Sequence, residues 1–161
     1  MENVEIRLIE GLEGIEFCAK LMADIAPWKV LGMGIEECRK HFEDESREKY
    51  VVILDKVFAG FLIIHMEGTF SGYIQSIAIA PEFQRKEGLG SSLIEFAEER
   101  IFKDRQNVFL CVSSFNSAAQ HFYSKHGYET IGEIKDFIVS GHSEVFLRKS
   151  KGPLRENRVC L

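Results

Sequence analysis

With 161 residues, 45% of them hydrophobic and 28% charged, the chain has the length and composition of a single soluble globular domain with one sizeable core. No apolar run approaches the ~20 residues that span a bilayer, and the opening MENVEIRLIEGLEG carries acidic residues without an apolar h-region, so neither membrane insertion nor export is expected. The formal net charge of −5 speaks against nonspecific nucleic-acid binding and suits a cationic partner such as an amine, or plain solubility.

Residues 4–9 alternate Val4, Ile6 and Leu8 against Glu5, Arg7 and Ile9, a first strand with one buried face. Ile15, Cys18, Ala19 and Met22 recur at helical spacing and predict a helix over 12–25, ended by Pro27. A shorter helix follows with Ile35, Cys38 and Phe42 inward. Trp28, in the link between the two, either lines a pocket or is buried where the helices join. Residues 50–54 and 57–66 are apolar strands about Asp55-Lys56, the spacing of a two-residue hairpin turn, although Lys replaces the favoured Gly.

Residues 73–80 form a third antiparallel strand, stopped at Pro81, which lacks the N–H for a further ladder bond. From Leu89 the period changes, and Leu89, Leu93, Ile94, Ala97 and Ile101 make a helical stripe. The run NVFLCVS over 107–113 reads as a strand buried on both faces, parallel to 73–80 because a helix connects them. Asn116 is placed to cap a helix carrying Ala119, Phe122, Tyr123 and His126 on one face and stopped by Gly127. Residues 130–139 and 142–149 read as a terminal hairpin about Ser140-Gly141, and 151–161 as a loose polar tail.

Between the strand and the helix stripe lies Arg85-Lys86-Glu87-Gly88-Leu89-Gly90. Its glycines let backbone N–H groups approach a ligand without a Cβ in the way, at a helix N-terminus where those groups lack intrahelical partners. With the helix dipole and the charges of Arg85 and Lys86, the turn is expected to bind a phosphate. A P-loop fits poorly because no Lys-Ser or Lys-Thr follows the glycines. A dinucleotide fingerprint fits poorly, since counting from Gly88 gives Gly90 and then Leu93, and no acidic residue ends the strand near Val112.

The spacing Arg85-x-x-Gly88-x-Gly90 matches R/Q-x-x-G-x-G/A in full, and here the chain resembles the GNAT superfamily of acetyl-coenzyme A-dependent N-acetyltransferases. One residue more than usual separates Pro81 from Arg85, which leaves open whether Gln84 or Arg85 takes the first motif position; Arg85 keeps the glycine spacing. A second signature, N-x-x-A-x-x-x-Y-x-x-x-G-[FY], is matched from Asn116 through Ala119, Tyr123 and Gly127 to Tyr128. Together the two cover about residues 50–149. The first 49 residues match in layout only, as the variable region that closes over the acceptor, within one domain spanning 1–150.

The resemblance implies an α/β fold, a mostly antiparallel mixed sheet whose two central strands, 73–80 and 107–113, splay around the coenzyme. It implies that Arg85, Lys86, Glu87, Gly88, Leu89, Gly90 and Ser91 hold the coenzyme diphosphate. Ile77, Ala78 and Ile79 would lend backbone groups to the pantetheine, and Asn116 and Ala119 would lie against it. Tyr123 would stand at the sulfur and protonate the departing thiolate, since a phenol with a reference pKa of ~10 is protonated at neutral pH. The implied partners are acetyl-coenzyme A and an amine, either a peptide α-amino group as in the ribosomal-protein alanine acetyltransferases or a small metabolite amine; relatives often form homodimers. No metal is implied, and His121 and His126, five residues apart, do not share a helix face.

The amine must lose a proton before it attacks, and the carboxylates that relatives use are missing: Gln75 and Cys111 occupy those positions. His65, Glu67, Asp136, His142 and a water relay remain as routes. Direct transfer is expected, Cys111 being a small core residue rather than an acyl carrier. The alternative is a coenzyme A-binding sensor or interaction module that has lost catalysis. Cys18, Cys38, Cys111 and Cys160 lie far apart with no C-x-x-C pair, suggesting reduced thiols in a cytoplasmic compartment rather than a zinc ribbon or a disulfide framework.

Overall fold

In the computed structural model, which describes residues 3–86 and 88–155, seven strands make one mixed sheet among the described residues. They are β1 (Val4–Leu8), β2 (Glu48–Leu54), β3 (Val57–His65), β4 (Tyr73–Ile79), β5 (Asn107–Ser113), β6 (Glu129–Ile134) and β7 (Glu144–Ser150), in the spatial order β1-β2-β3-β4-β5-β7-β6. All neighbours are antiparallel except β4 and β5. Helices α1 (Gly11–Asp24) and α2 (Ile35–Glu43) cover one face, and α3 (Leu89–Phe102) and α4 (Ser117–Lys125) the other.

Alternation along the central strands feeds two cores. Tyr50, Val52, Leu62 and Ile64 meet the α3 stripe of Leu89, Leu93, Ile94, Ala97 and Ile101, whereas Val51, Ile53, Phe61 and Ile63 meet Cys18, Met22, Cys38 and Phe42 of α1 and α2. Each fully buried Leu or Ile contributes about 1.5–3 kcal/mol, which fixes the sheet between its helices. Arg100 of α3 then clamps β2 from the side: its Nε and Nη2 donate to the two oxygens of Glu48 at 2.8 and 2.5 Å, and Tyr50 donates its hydroxyl to Glu48 at 2.7 Å.

Three expectations are corrected. β1 does not bury one face along its length: Val4 and Leu8 are 40% and 54% exposed, because a five-residue edge strand overhangs the core at both ends and only Ile6 packs inward. The terminal strands are not joined at Ser140-Gly141. β6 ends at Ile134, and residues 135–143 form a wide loop closed by Asp136, whose Oδ1 accepts the Gly141 N–H at 2.6 Å. That closure removes Phe137 and Ile138 from the ladder. The stretch after β7 is also not loose from its start, since the Lys151 N–H donates to Gln106 O at 2.9 Å and its ammonium lies 4.4 Å from the Phe102 ring centroid. Residues 156–161 lie outside the described residues.

The Asp55-Lys56 hairpin turn does form, with both residues left-handed at φ 49° and 70°. Asn3 compensates for the absent glycine by bonding Asp55 through both its N–H and its carbonyl. Among the described residues, no helix is long and apolar enough to cross a membrane.

Candidate active site

The site begins with one extra residue in β4. Ile63 pairs with Ser76 and Ile64 with Ile74, so Gln75 bulges out of the ladder. A bulge bends its strand and raises the local twist. β4 and β5 consequently pair only at Tyr73 with Phe109 and Ile74 with Leu110, then part. Below the parting they are stitched by the Phe109 N–H donating to Gly72 O at 3.0 Å. Above it lies an inner cavity of about 130 Å³.

Asn116, Ala119 and Tyr123 line this cavity from α4 and its cap, Ile77 from β4, Cys111 and Ser113 from β5, and Glu144 from β7. The Asn116 Oδ1 caps α4 by accepting the Ala119 N–H at 3.1 Å, which fixes the side chain with its amide nitrogen still available. Tyr123 is 6% exposed and packs edge-on against Tyr128, with ring centroids 5.5 Å apart. Burial pushes its phenol well above the ordinary tyrosine range, so it is protonated at neutral pH.

Farther along the seam, Arg85, Lys86, Gly88, Gly90 and Ser91 line an open groove with Ile79 and Gln84. Gly88 is left-handed at φ 82°, and a Cβ there would meet nothing within 4 Å, so the glycine is demanded by the backbone turn rather than by crowding. The Leu89 N–H is taken by Lys86 O at 3.4 Å, while Gly90 and Ser91 have no carbonyl four residues back within α3. Gln84 folds back on β4, its amide donating to Ile79 O at 3.0 Å, and Arg85 and Lys86 are the charged residues lining the groove. His126 holds the turn to α4: its Nε2 lies 3.0 Å from Ser91 Oγ, and its Nδ1 donates to Phe122 O at 2.8 Å.

On the α1–α2 side, Tyr73, Gln75, Ser76 and Cys111 are shared with an outer cavity of about 710 Å³. Its wall is largely apolar, with Trp28, Met33, Phe70, Phe137, Ile138 and Phe146, and Glu37 and Glu67 stand at its exposed rim. Gln75 is held there in a polar cluster: Arg47 Nη1 donates to its carbonyl, and its amide donates to His41 Nδ1 at 2.8 Å. Two donors aimed at Nδ1 require the neutral ring with its proton on Nε2. Burial, then the Arg47 charge, lowers the His41 pKa accordingly.

Of the proton acceptors suggested by the sequence, His65 and Glu67 line the outer cavity, Asp136 closes its loop through Oδ1, and His142 packs edge-on against Phe115 with centroids 5.1 Å apart. The carboxylate at the inner cavity is Glu144, 3% exposed and accepting the Ser113 hydroxyl at 2.8 Å. Burial raises its pKa. Sequence reading missed it because a glutamate opening a strand looks solvated. The available signal was register: β5 and β7 pair Ser113 with Glu144, which puts Glu144 on the face of Cys111.

Ile77 lines the inner cavity and Ile79 the groove at the turn. The Ala78 side chain packs toward α1 and α2, and the Leu89 side chain belongs to the core, 4% exposed. Glu87 lies outside the described residues. Trp28 is half-buried, tilted on Phe61 at 5.6 Å, and lines both cavities. Cys18, Cys38 and Cys111 are free thiols, and Cys160 lies outside the described residues. Among the described residues, no group of three or more His, Cys, Asp and Glu is placed to hold a metal.

Comparison with known proteins agrees with this architecture. Spermidine N(1)-acetyltransferase of Escherichia coli K12 is 29% identical over 106 residues, which are 63% of this chain and 56% of that enzyme, so the chain spans about half the length of the curated relatives it matches. Among solved structures, spermidine N-acetyltransferase from Vibrio cholerae in complex with CoA and spermine superposes with a TM-score of 0.71 at 20% identity, covering 91% of this chain and 95% of that one. Ard1 from Thermoplasma volcanium gives 0.74 at 17%, covering 91% and 97%. At such identities these two structures speak for the fold alone. The sequence profile described as the Acetyltransferase (GNAT) family matches residues 16–128, most of the chain, and the protein is therefore a member of the GNAT acetyltransferase family.

Proposed function

We propose that this protein transfers the acetyl group of acetyl-coenzyme A to a primary amine by direct attack. The observation that carries this reading is the parted β4–β5 seam, with the groove at the glycine turn beside Ile79, the inner cavity of Asn116 and Tyr123 beside Ile77, and the outer cavity sharing Tyr73, Gln75 and Cys111 with the inner one. In this reading the backbone of Gly88, Gly90 and Ser91, with Arg85 and Lys86, holds the diphosphate, and Glu87 belongs to the same turn. The β4 backbone from Ile77 through Ala78 to Ile79, with Asn116 and Ala119, orders the pantetheine, and Leu89 anchors the helix start. Tyr123 supplies the proton to the thiolate. Burial raises the Cys111 thiol, which keeps it a poor nucleophile and favours direct transfer over an acyl-cysteine.

The outer cavity holds the acceptor, and its wall favours an amine on an apolar body. A polyamine would meet the Arg47 guanidinium within and carboxylates only at the rim, where Glu37 and Glu67 are exposed. Thiol release from acetyl-coenzyme A, measured with 2-phenylethylamine, hexylamine, spermidine and a peptide with a free N-terminus, tests both levels. Turnover is expected to be fastest with the apolar amines, and Tyr123→Phe is expected to lower kcat roughly 10²–10⁴-fold with coenzyme A affinity retained. Tight coenzyme A binding with no turnover on any amine would instead support a sensor.

A further inference from the structure

We propose that Glu144 is the group that receives the amine in the inner cavity and takes its proton. This rests on the transferase reading above and adds the residue missing from it.

Glu144 is buried where a carboxylate is expensive to keep. Its recorded side-chain hydrogen bond comes from a neutral hydroxyl, Ser113, and no described residue forms an ion pair with it. An acid enclosed without a cation is a candidate for receiving one. The titratable groups around it are Tyr73 from β4, Cys111 from β5 and His142 from the 135–143 loop, with Tyr123 across the cavity on α4. None is a lysine or an arginine. An ammonium entering from the outer cavity passes Tyr73 and Cys111, which line both cavities, and meets Glu144 at the inner end. The other groups are engaged or lie farther out: Gln75 cannot accept a proton, His41 Nδ1 faces two donors, Asp136 Oδ1 closes its loop, His142 packs edge-on against Phe115, and His65 and Glu67 line the outer cavity but not the inner one.

The step balances as follows. The ammonium gives one proton to the Glu144 carboxylate, which releases it to solvent. The freed lone pair attacks the acetyl carbonyl carbon, the C–N bond forms and the C–S bond breaks, and the thiolate takes the Tyr123 hydroxyl proton. The second proton on nitrogen is lost as the amide forms and restores Tyr123 through solvent. Acetyl thioester and ammonium thus yield amide, thiol and one proton.

Glu144→Gln keeps the acceptor for the Ser113 hydroxyl and removes the base. With the apolar amines, kcat/KM at pH 7 is expected to fall roughly 10²–10⁴-fold while coenzyme A affinity stays within twofold of wild type. The variant's rate is expected to climb tenfold per pH unit toward the amine's own pKa, where wild type levels off. Stability supplies a second readout. Because folding raises the Glu144 pKa, its favourable contribution is complete below the ordinary carboxylate range and is lost as pH rises through the folded value. Glu144→Gln is therefore expected to melt higher than wild type at pH 8, with the gap closing toward pH 4. A folded Glu144→Gln protein that matches wild type in rate and pH profile, while wild type turns over amines, overturns the assignment and leaves the transferase reading standing. A wild-type protein that binds coenzyme A but acetylates no amine overturns both.

Discussion

Gly72 is the stitch below which β4 and β5 stay together, and replacing it with alanine tests how that junction is built. Its φ is 87°, a region that costs a non-glycine residue about 1–2 kcal/mol. A Cβ there would also lie 2.5 Å from the Asn107 carbonyl oxygen and 2.7 Å from Ile101 Cγ2. The first of these is backbone of β5 and the second is fully buried, so neither yields easily, and forced overpacking of this kind costs about 1–3 kcal/mol. Gly72→Ala should therefore lose about 2–5 kcal/mol. For a chain of this length 1 kcal/mol moves Tm by about 2–4 °C, so a drop of about 4–20 °C is expected by calorimetry. Gly68→Ala is the matched control: its φ is 81° and nothing lies within 4 Å of its Cβ. It carries the backbone cost alone, about 2–8 °C by the same conversion. The entropy that alanine removes from the unfolded chain is common to both and cancels. Equal losses in the two variants would refute the claim that close packing against Asn107 and Ile101 pins the junction.

Arg100→Met should cost about 1–3 kcal/mol by stranding Glu48 between Tyr50 and solvent, and a double-mutant cycle with Glu48→Gln should recover a coupling of about 1 kcal/mol or more; simple additivity would count against the clamp. His41 faces Arg47, Glu37, Asp44 and Gln75, and its folded pKa lies below the ordinary 6.5. The unfolded chain then binds the proton first, so this group's contribution is intact above about pH 6.5 and is lost as pH falls through the folded value. Wild type should lose Tm more steeply than His41→Gln between pH 7 and 5, and parallel curves would show that the ring is not held neutral.

Much of the architecture was legible because its causes are local. The period change at Leu89, the stop at Pro81 and the Asn116 cap each depend on neighbours a few residues away, and all are found in place. The errors lie where long-range contacts decide. Nothing near residues 135–143 announces that Asp136 would close a loop and release Phe137 and Ile138 from the ladder. β1 has the alternation of a half-buried strand, yet its place at the sheet edge exposes Val4 and Leu8. At the site, the turn and Tyr123 belong to short motifs, whereas Glu144 becomes visible only once β7 is laid against β5 in register. Gln75 could be read as the loss of a base, but its capture by Arg47 and His41, from segments some 30 residues earlier in the chain, could not.

The bulge at Gln75 also links occupancy to rigidity. Past Ile74, a single surplus residue leaves two strands at the middle of the sheet with polar edges turned toward each other and no ladder between them. Any elongated guest bearing amides can lie along those edges as a surrogate strand. Its departure would leave β4 and β5 laddered only at Tyr73–Phe109 and Ile74–Leu110 beside the Gly72 junction, so the grip on the guest and the stiffness of the sheet rise and fall together.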